Sequence, residues 1–292
     1  CIRYSNPEEK ELSMCFNFHH LKVDYKNGNK WELMDTDRKE LKRLFEEWQI
    51  GMQEHNGWNS LFWCNHDQPR IVSRMGNEGT YWKQSAKMLA AAVHLMRGTP
   101  YIYQGEEIGM PNAHFKDIND YRDVESLNYY EILLKEGKTK EEAIKTLQER
   151  SRDNSRTPMQ WSDEKNAGFS DVIPWISLPD HYKEINVENE LRDEDSIYYF
   201  YKKLIELRKE KEVIQEGTIE FFEKDDDDLL AYERNYKEEH LVVFNNLTEK
   251  EKEVEIPQLW TSYHKLIGNY DTENMKENKV VLRPYETLVL EK

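Results

Sequence analysis

Gly57 to Arg70 reads G-W-N-S-L-F-W-C-N-H-D-Q-P-R. Within it, Leu61 to Cys64 is a short apolar run without polar alternation, the pattern of a strand buried on both faces. The run stops on Asn65, His66 and Asp67, and Pro69 blocks further ladder pairing. A hydrophobic strand that ends on Asn-His-Asp reads as the C-terminal end of a barrel strand, where reactive groups collect. An ordinary strand followed by an Asp/Asn turn is the competing reading.

Working outward, residues 99–110 read T-P-Y-I-Y-Q-G-E-E-I-G-M, a second apolar strand leading into an acidic, Gly-bearing loop. Between the two, Met88, Leu89, Ala92, Val93 and Met96 mark the buried stripe of a helix over Tyr81 to Met96. Strand, helix, strand with polar strand ends is a βα unit of a parallel sheet. Upstream, Met14 to Phe18 predicts another strand, followed by His19, His20 and Lys22. Asp37 is the expected N-cap of a helix reaching Gln53, with Leu41, Leu44, Phe45 and Trp48 on its apolar face.

Downstream, Tyr121 to Tyr130 and Thr139 to Arg150 predict two amphipathic helices joined at Gly137. Residues 151–190 lack periodicity and read as an ordered loop that serves a site. Ser196 to Glu210 predicts a strong helix. From residue 212 onward, short β-rich runs recur every ten or so residues, which predicts a small antiparallel sandwich over 212–292 after a first domain of 1–211.

Composition bounds the function. The net charge of −16 disfavours nucleic acid and anionic membranes as partners. The run Asp225 to Asp228 reads as a solvated turn. No apolar segment approaches the roughly 20 residues that span a bilayer. Cys1, Cys15 and Cys64 are an odd count with no metal spacing, which fits a reducing cytoplasm. No metal or other cofactor is expected. Eight Trp and seventeen Tyr supply core packing and flat platforms of the kind sugars stack on. A mature lipoprotein also begins on Cys, but Ile2-Arg3-Tyr4 leads straight into globular sequence, so the chain reads as cut from something longer.

N-H-D-Q-P-R, G-T-P-Y-I-Y-Q-G-E-E-I-G-M and R-D-N-S-R-T-P-M-Q-W (residues 65–70, 98–110 and 152–161) together resemble the α-amylase family of glycoside hydrolases, and the similarity runs through nearly the whole chain. The resemblance implies an α/β fold: strands six to eight of a (β/α)8 barrel and their helices, then a β-sandwich domain. It implies that Asp67 is the third carboxylate, which binds the reacting sugar, and that His66 is its sugar-binding neighbour. It makes Arg152 the Arg that steadies the same sugar, with Arg156 either a second contact or a structural ion pair. The nucleophile and the acid/base of a retaining glycosidase would then lie upstream of Cys1, so the chain alone is expected to be inactive.

Glu106 and Glu107 are not the reacting pair, because adjacent side chains diverge. F-N-F-H-H-L-K-V-D-Y (16–25) resembles the branch of the family that cleaves trehalose 6-phosphate to glucose and glucose 6-phosphate. On that resemblance His19, His20 and Lys22 face the substrate, and Lys22 with His19 holds the phosphate. The oligo-1,6-glucosidase branch resembles residues 80–211 almost as well but tends to carry acidic groups at those positions. A catalytically silent binding module is the third alternative.

Overall fold

The computed structural model describes residues 1–272 and 274–292. Its N-terminal part is built on a narrow parallel ladder. Strand β1 (Ser60–Leu61) pairs in parallel with β2 (Thr99–Pro100), and Cys15 bridges Asn59 on the other side, also in parallel. The N–H groups of Thr99 and Tyr101 donate to the carbonyls of Asn59 and Leu61 at 2.8 and 2.7 Å. The expected strands are thus present in the expected order but much shorter. The Cys15 segment pairs on one side among the described residues, and Pro100 has no N–H to extend its own ladder. The apolar run itself is fully inside: Leu61 to Cys64 are all at or below 6% exposure.

Two helices cross between these strands. Arg38–Glu54 starts on Asp37, whose carboxylate accepts from the Glu40 N–H at 2.9 Å. Trp82–His94 is buried along its whole length from Ser85 onward, because it lies between the parallel ladder and a second sheet. Ala90, Ala91 and Ala92 present little side chain there, which permits close approach from both sides. Ile197–Glu210, capped by Ser196, packs on that helix. Val124–Lys135 and Lys140–Arg150 form a helical hairpin. A reciprocal Thr139–Glu142 capping box opens its second helix, and left-handed Gly137 sits between the two.

The chain from Thr218 onward is antiparallel. Strands β3 (Thr218–Phe222), β4 (Leu229–Tyr236), β5 (Glu239–Asn246), β7 (His264–Gly268) and β10 (Thr287–Glu291) form one sheet in the order β3-β4-β5-β10-β7. Strands β6 (Lys252–Glu255), β8 (Met275–Lys276) and β9 (Lys279–Leu282) form the other. Alternation assigns the faces. Leu241 and Val243 join the core beneath the helices, whereas Val242 and Phe244 pack toward the small sheet with Trp260, Val280 and Leu282. A sheet covered on both faces needs apolar residues at consecutive positions, which is what β5 carries.

The acidic run at 225–228 is not a freely solvated turn. Asp228 pairs with Arg38 at 2.7 Å and Asp226 with Lys252 at 2.9 Å. The ammonium of Lys42, buried on the first helix, donates to the carbonyls of Glu223 and Asp226. Only Asp225 and Asp227 face the solvent fully. The turn clamps the sandwich to the helix because its carbonyls and carboxylates meet three cations that lie far away in sequence.

Candidate functional site

The residues after β1 converge with the 152–156 segment. Asn65 Oδ1 accepts from the Asp67 N–H at 2.8 Å, an Asx turn that lifts the Asp67 carboxylate out of the chain. Arg156 Nη2 donates to Asp67 Oδ1 at 2.7 Å and Arg156 Nε to the His66 carbonyl at 2.8 Å. Arg152 stands second, 3.7 Å from the same oxygen. His66 Nε2 is 3.3 Å from Asp67 Oδ2, and its side chain is 71% exposed. The Asp67 side chain is itself 45% exposed, so the carboxylate is gripped from one side and open on the other.

R-D-N-S-R folds so that its members alternate in task. Arg152 and Arg156 point to Asp67, at the two ends of one helical turn, Asp153–Arg156. Between them, Asp153 accepts from the backbone N–H groups of Arg122 and Asp123 at 2.8 and 2.9 Å. Asn154 bonds Ala113 and Gln148, and the Ser155 hydroxyl donates to the Gln68 carbonyl. The expected Arg152–sugar position therefore rests on a frame that reading by motif missed.

The principal omission is Asp123. Its side chain is 3% exposed, and Oδ1 accepts from Arg152 Nε and Nη2 at 3.0 and 2.7 Å. Burial alone would raise this carboxyl, but the Arg152 guanidinium and the Ser126 donors hold it below the usual carboxylate range. The same bonds raise Arg152. Asp123 also caps the helix Val124–Lys135 through the Ser126 N–H and hydroxyl. The sequence signal was present as a cap, D-V-E-S, but nothing local says that the carboxylate also faces an Arg. Glu125 closes the network, 3.2 Å from Arg152 and 2.9 Å from Lys30.

Among the described residues, no hydrogen bond or ion pair joins the predicted phosphate turn to this cluster. His19–Lys22 is a short 3-10 turn. Lys22 is exposed and makes no ion pair among the described residues; His19 is exposed and lies with its ring 5.2 Å from that of Trp48. His20, expected to face the substrate, is instead 5% exposed among Phe45, Phe62 and Trp63. Its Nε2 donates to the Phe62 carbonyl at 2.8 Å, and burial pushes its pKa down to about 4. The 3-10 turn, and not strand alternation, puts it inward, since Phe18 and Phe16, two and four residues earlier, are exposed. Two residues past Lys22, buried Asp24 takes both Arg74 and Arg150 and thereby ties this turn to the helical hairpin.

Glu106 and Glu107 are not a reacting pair. Glu106 is buried, accepts from the Tyr201 hydroxyl at 2.8 Å and is pushed by burial up to about 7. Glu107 accepts from the Gly105 N–H at 2.8 Å. No group of three or more His, Cys, Asp or Glu placed to hold a metal ion occurs among the described residues. Among the described residues, no helix is long and apolar enough to cross a membrane.

Residues 1–217 match the α-amylase catalytic domain model, and residues 229–289 match the C-terminal domain of the α-amylase SusG. The chain is 49% identical to a trehalose-6-phosphate hydrolase of Bacillus subtilis over 99% of its length, and 46% identical to an oligo-1,6-glucosidase of Bacillus cereus over 98%. It covers 52% of each, so it spans about half the length of the curated relatives it matches. The crystal structure of a Bacillus licheniformis trehalose-6-phosphate hydrolase superposes with a TM-score of 0.97 at 54% identity, over all of this chain and 53% of that one. The N-terminal part of the chain is thus the C-terminal portion of a (β/α)8 barrel, and its C-terminal part is a small antiparallel β-sandwich domain. The chain belongs to the α-amylase family of glycoside hydrolases.

Proposed function

We propose that this chain supplies the sugar-gripping side of a retaining α-glucoside hydrolase that cleaves trehalose 6-phosphate to glucose and glucose 6-phosphate. The observation that carries the reading is the Asp67 carboxylate, open to solvent on one side and held on the other by Arg156, Arg152 and His66 at the end of a parallel strand. A carboxylate so placed accepts hydrogen bonds from the hydroxyls of the reacting sugar and favours the positive charge that develops on it. The arginines fix its direction.

Retaining hydrolysis needs two further carboxylates about 5 Å apart, one to attack the anomeric carbon and one to protonate the leaving oxygen. In this cluster Asp123 is sealed by four donors and Glu125 by Lys30 and Arg152, so neither is free for that work. We place both reacting groups in the half of the relatives' length that these residues do not match. Exposed Phe16, Phe18 and Tyr101, at 44, 46 and 43%, support a missing cover over the strand side. The completed barrel is this chain (1–211 barrel part, 212–292 sandwich) with that N-terminal half. The odd count of three cysteines favours the cytoplasm.

Lys22 is the phosphate contact in this reading, with His19 beside it. A charge-assisted bond to phosphate contributes roughly 1.5–3 kcal/mol, about ten- to a hundredfold in affinity. In the completed barrel, Lys22→Ala raises KM for trehalose 6-phosphate by about that factor and leaves an uncharged aryl α-glucoside unchanged. Equal losses on both substrates would reduce Lys22 to a fold support. No loss on either would favour oligo-1,6-glucosidase activity.

A further inference from the structure

The geometry points to Arg70 as a positioning residue that sets the distance between Asp67 and the two arginines of the 152–156 segment. Arg70 is 1% exposed and, among the described residues, has no carboxylate partner. A guanidinium is rarely buried in that state, since its charge needs compensation. Here the compensation comes from main-chain carbonyls of two separate segments. Nη1 donates to the Gln104 carbonyl at 2.6 Å, Nε to that of Asn154 at 3.2 Å and Nη2 to that of Ser155 at 3.4 Å. The Tyr103 ring lies 5.4 Å from the guanidinium, and the Tyr103 hydroxyl donates to the same Ser155 carbonyl at 2.9 Å.

The placement of those carbonyls gives the arrangement its meaning. Residues 154 and 155 lie between Arg152 and Arg156, and Arg70 is three residues past Asp67. The fork of one side chain therefore joins the two backbones whose side chains meet at Asp67 Oδ1. Its own N–H is fixed by Asn112 Oδ1 at 2.9 Å, so the base of the fork is also held. Space around it is tight. A Cβ on left-handed Gly105 would stand 2.9 Å from Nη1, which leaves glycine the residue that admits the fork. A lysine keeps the charge but cannot span three carbonyls. Since a misplacement of about 1 Å can cost on the order of a hundredfold in rate, loss of the fork reads out at the sugar without Arg70 touching it.

The inference rests on the proposed hydrolase reading, and its test separates the two. In the completed barrel, Arg70→Lys lowers kcat/KM on p-nitrophenyl α-glucoside by roughly ten- to fiftyfold, mostly in kcat. Tyr103→Phe, which removes one donor from the same carbonyl, lowers it by about two- to fivefold. In an Arg156→Lys background the added loss from Arg70→Lys shrinks below about threefold, because both changes act through one contact. A loss that carries over in full to the double variant, or an Arg70→Lys variant within twofold of the parent, overturns the proposal. If the completed barrel hydrolyses no α-glucoside, the hydrolase reading fails and backbone hydrogen exchange decides on Arg70. Arg70→Lys then speeds exchange of residues 66–68 and 153–156 by about tenfold or more, with the helix Ile197–Glu210 unchanged. Unchanged exchange in both segments overturns it.

Discussion

Asp123→Asn is the substitution that most sharply separates the site from the fold. The carboxylate does two jobs with two oxygens: Oδ1 holds Arg152 and Oδ2 caps a helix through Ser126. Asparagine caps a helix about as well as aspartate, so the carbonyl stays with Ser126 and the amide turns toward Arg152. Two charge-assisted acceptor contacts are lost and an N–H group now faces a guanidinium. Each such bond contributes roughly 1.5–3 kcal/mol, but Arg152 is 29% exposed and recovers part of that from water and from Glu125. A net effect of about 2 kcal/mol on the position of Arg152 remains, or roughly thirtyfold in kcat/KM. The assay is hydrolysis of p-nitrophenyl α-glucoside by the completed barrel, with a melting curve beside it. The expected result is the thirtyfold loss with a cooperative melt only a few degrees lower, because the lost bonds are folded-state bonds, whereas Asp123→Ala adds about 1 kcal/mol of instability from the lost cap. Activity within twofold of the parent would refute the claim that Asp123 positions Arg152. Loss of the cooperative melt in the Asn variant would make Asp123 a fold residue only.

Three further outcomes follow from buried groups and backbone. Glu106 has its folded pKa raised to about 7, so its contribution is complete below about 4.5 and disappears as pH rises through 7; Glu106→Gln should gain up to about 3 kcal/mol over the parent between pH 5 and 8 in urea titrations. His20 is depressed to about 4, so its contribution is present above about 6.5 and falls away by about 3 kcal/mol as pH drops to 4; a shallower fall of the urea midpoint between pH 6.5 and 4 in a His20→Gln variant than in the parent checks this, the remaining slope coming from buried His94 and His181. Gly98→Ala places a methyl 2.6 Å from the Asn59 carbonyl at a φ of +147°, inside the parallel ladder, and should cost more than about 2 kcal/mol in chemical denaturation.

Much of the architecture could be read locally. Leu41, Leu44 and Phe45 fall on the buried face of their helix, and the Asp37, Thr139 and Ser196 caps sit at helix starts. The β runs after residue 212 appear as strands because alternation and turn residues act within a few positions. The barrel strands were legible in order but not in length, since a ladder needs partners that lie about forty residues away. Asp67, His66, Arg152 and Arg156 were named from motifs and do meet. Asp123, Glu125 and Lys30 were not, because a carboxylate at a cap and a lysine in a turn look ordinary until the fold brings them to Arg152. Arg70 was hidden for a related reason: its partners are carbonyls, which leave no mark in a sequence. His20 differs from its neighbours only by the direction of the turn that carries it.

The most direct measurement is complementation. The purified 292-residue chain is assayed for glucose release from trehalose 6-phosphate, alone and together with the N-terminal half of a trehalose-6-phosphate hydrolase relative. The account predicts no turnover by either part alone and hydrolysis with retained anomeric configuration by the mixture, abolished by Asp67→Asn in this chain. Turnover by this chain alone that Asp67→Asn abolishes would contradict it, since the reacting carboxylates would then lie within these residues.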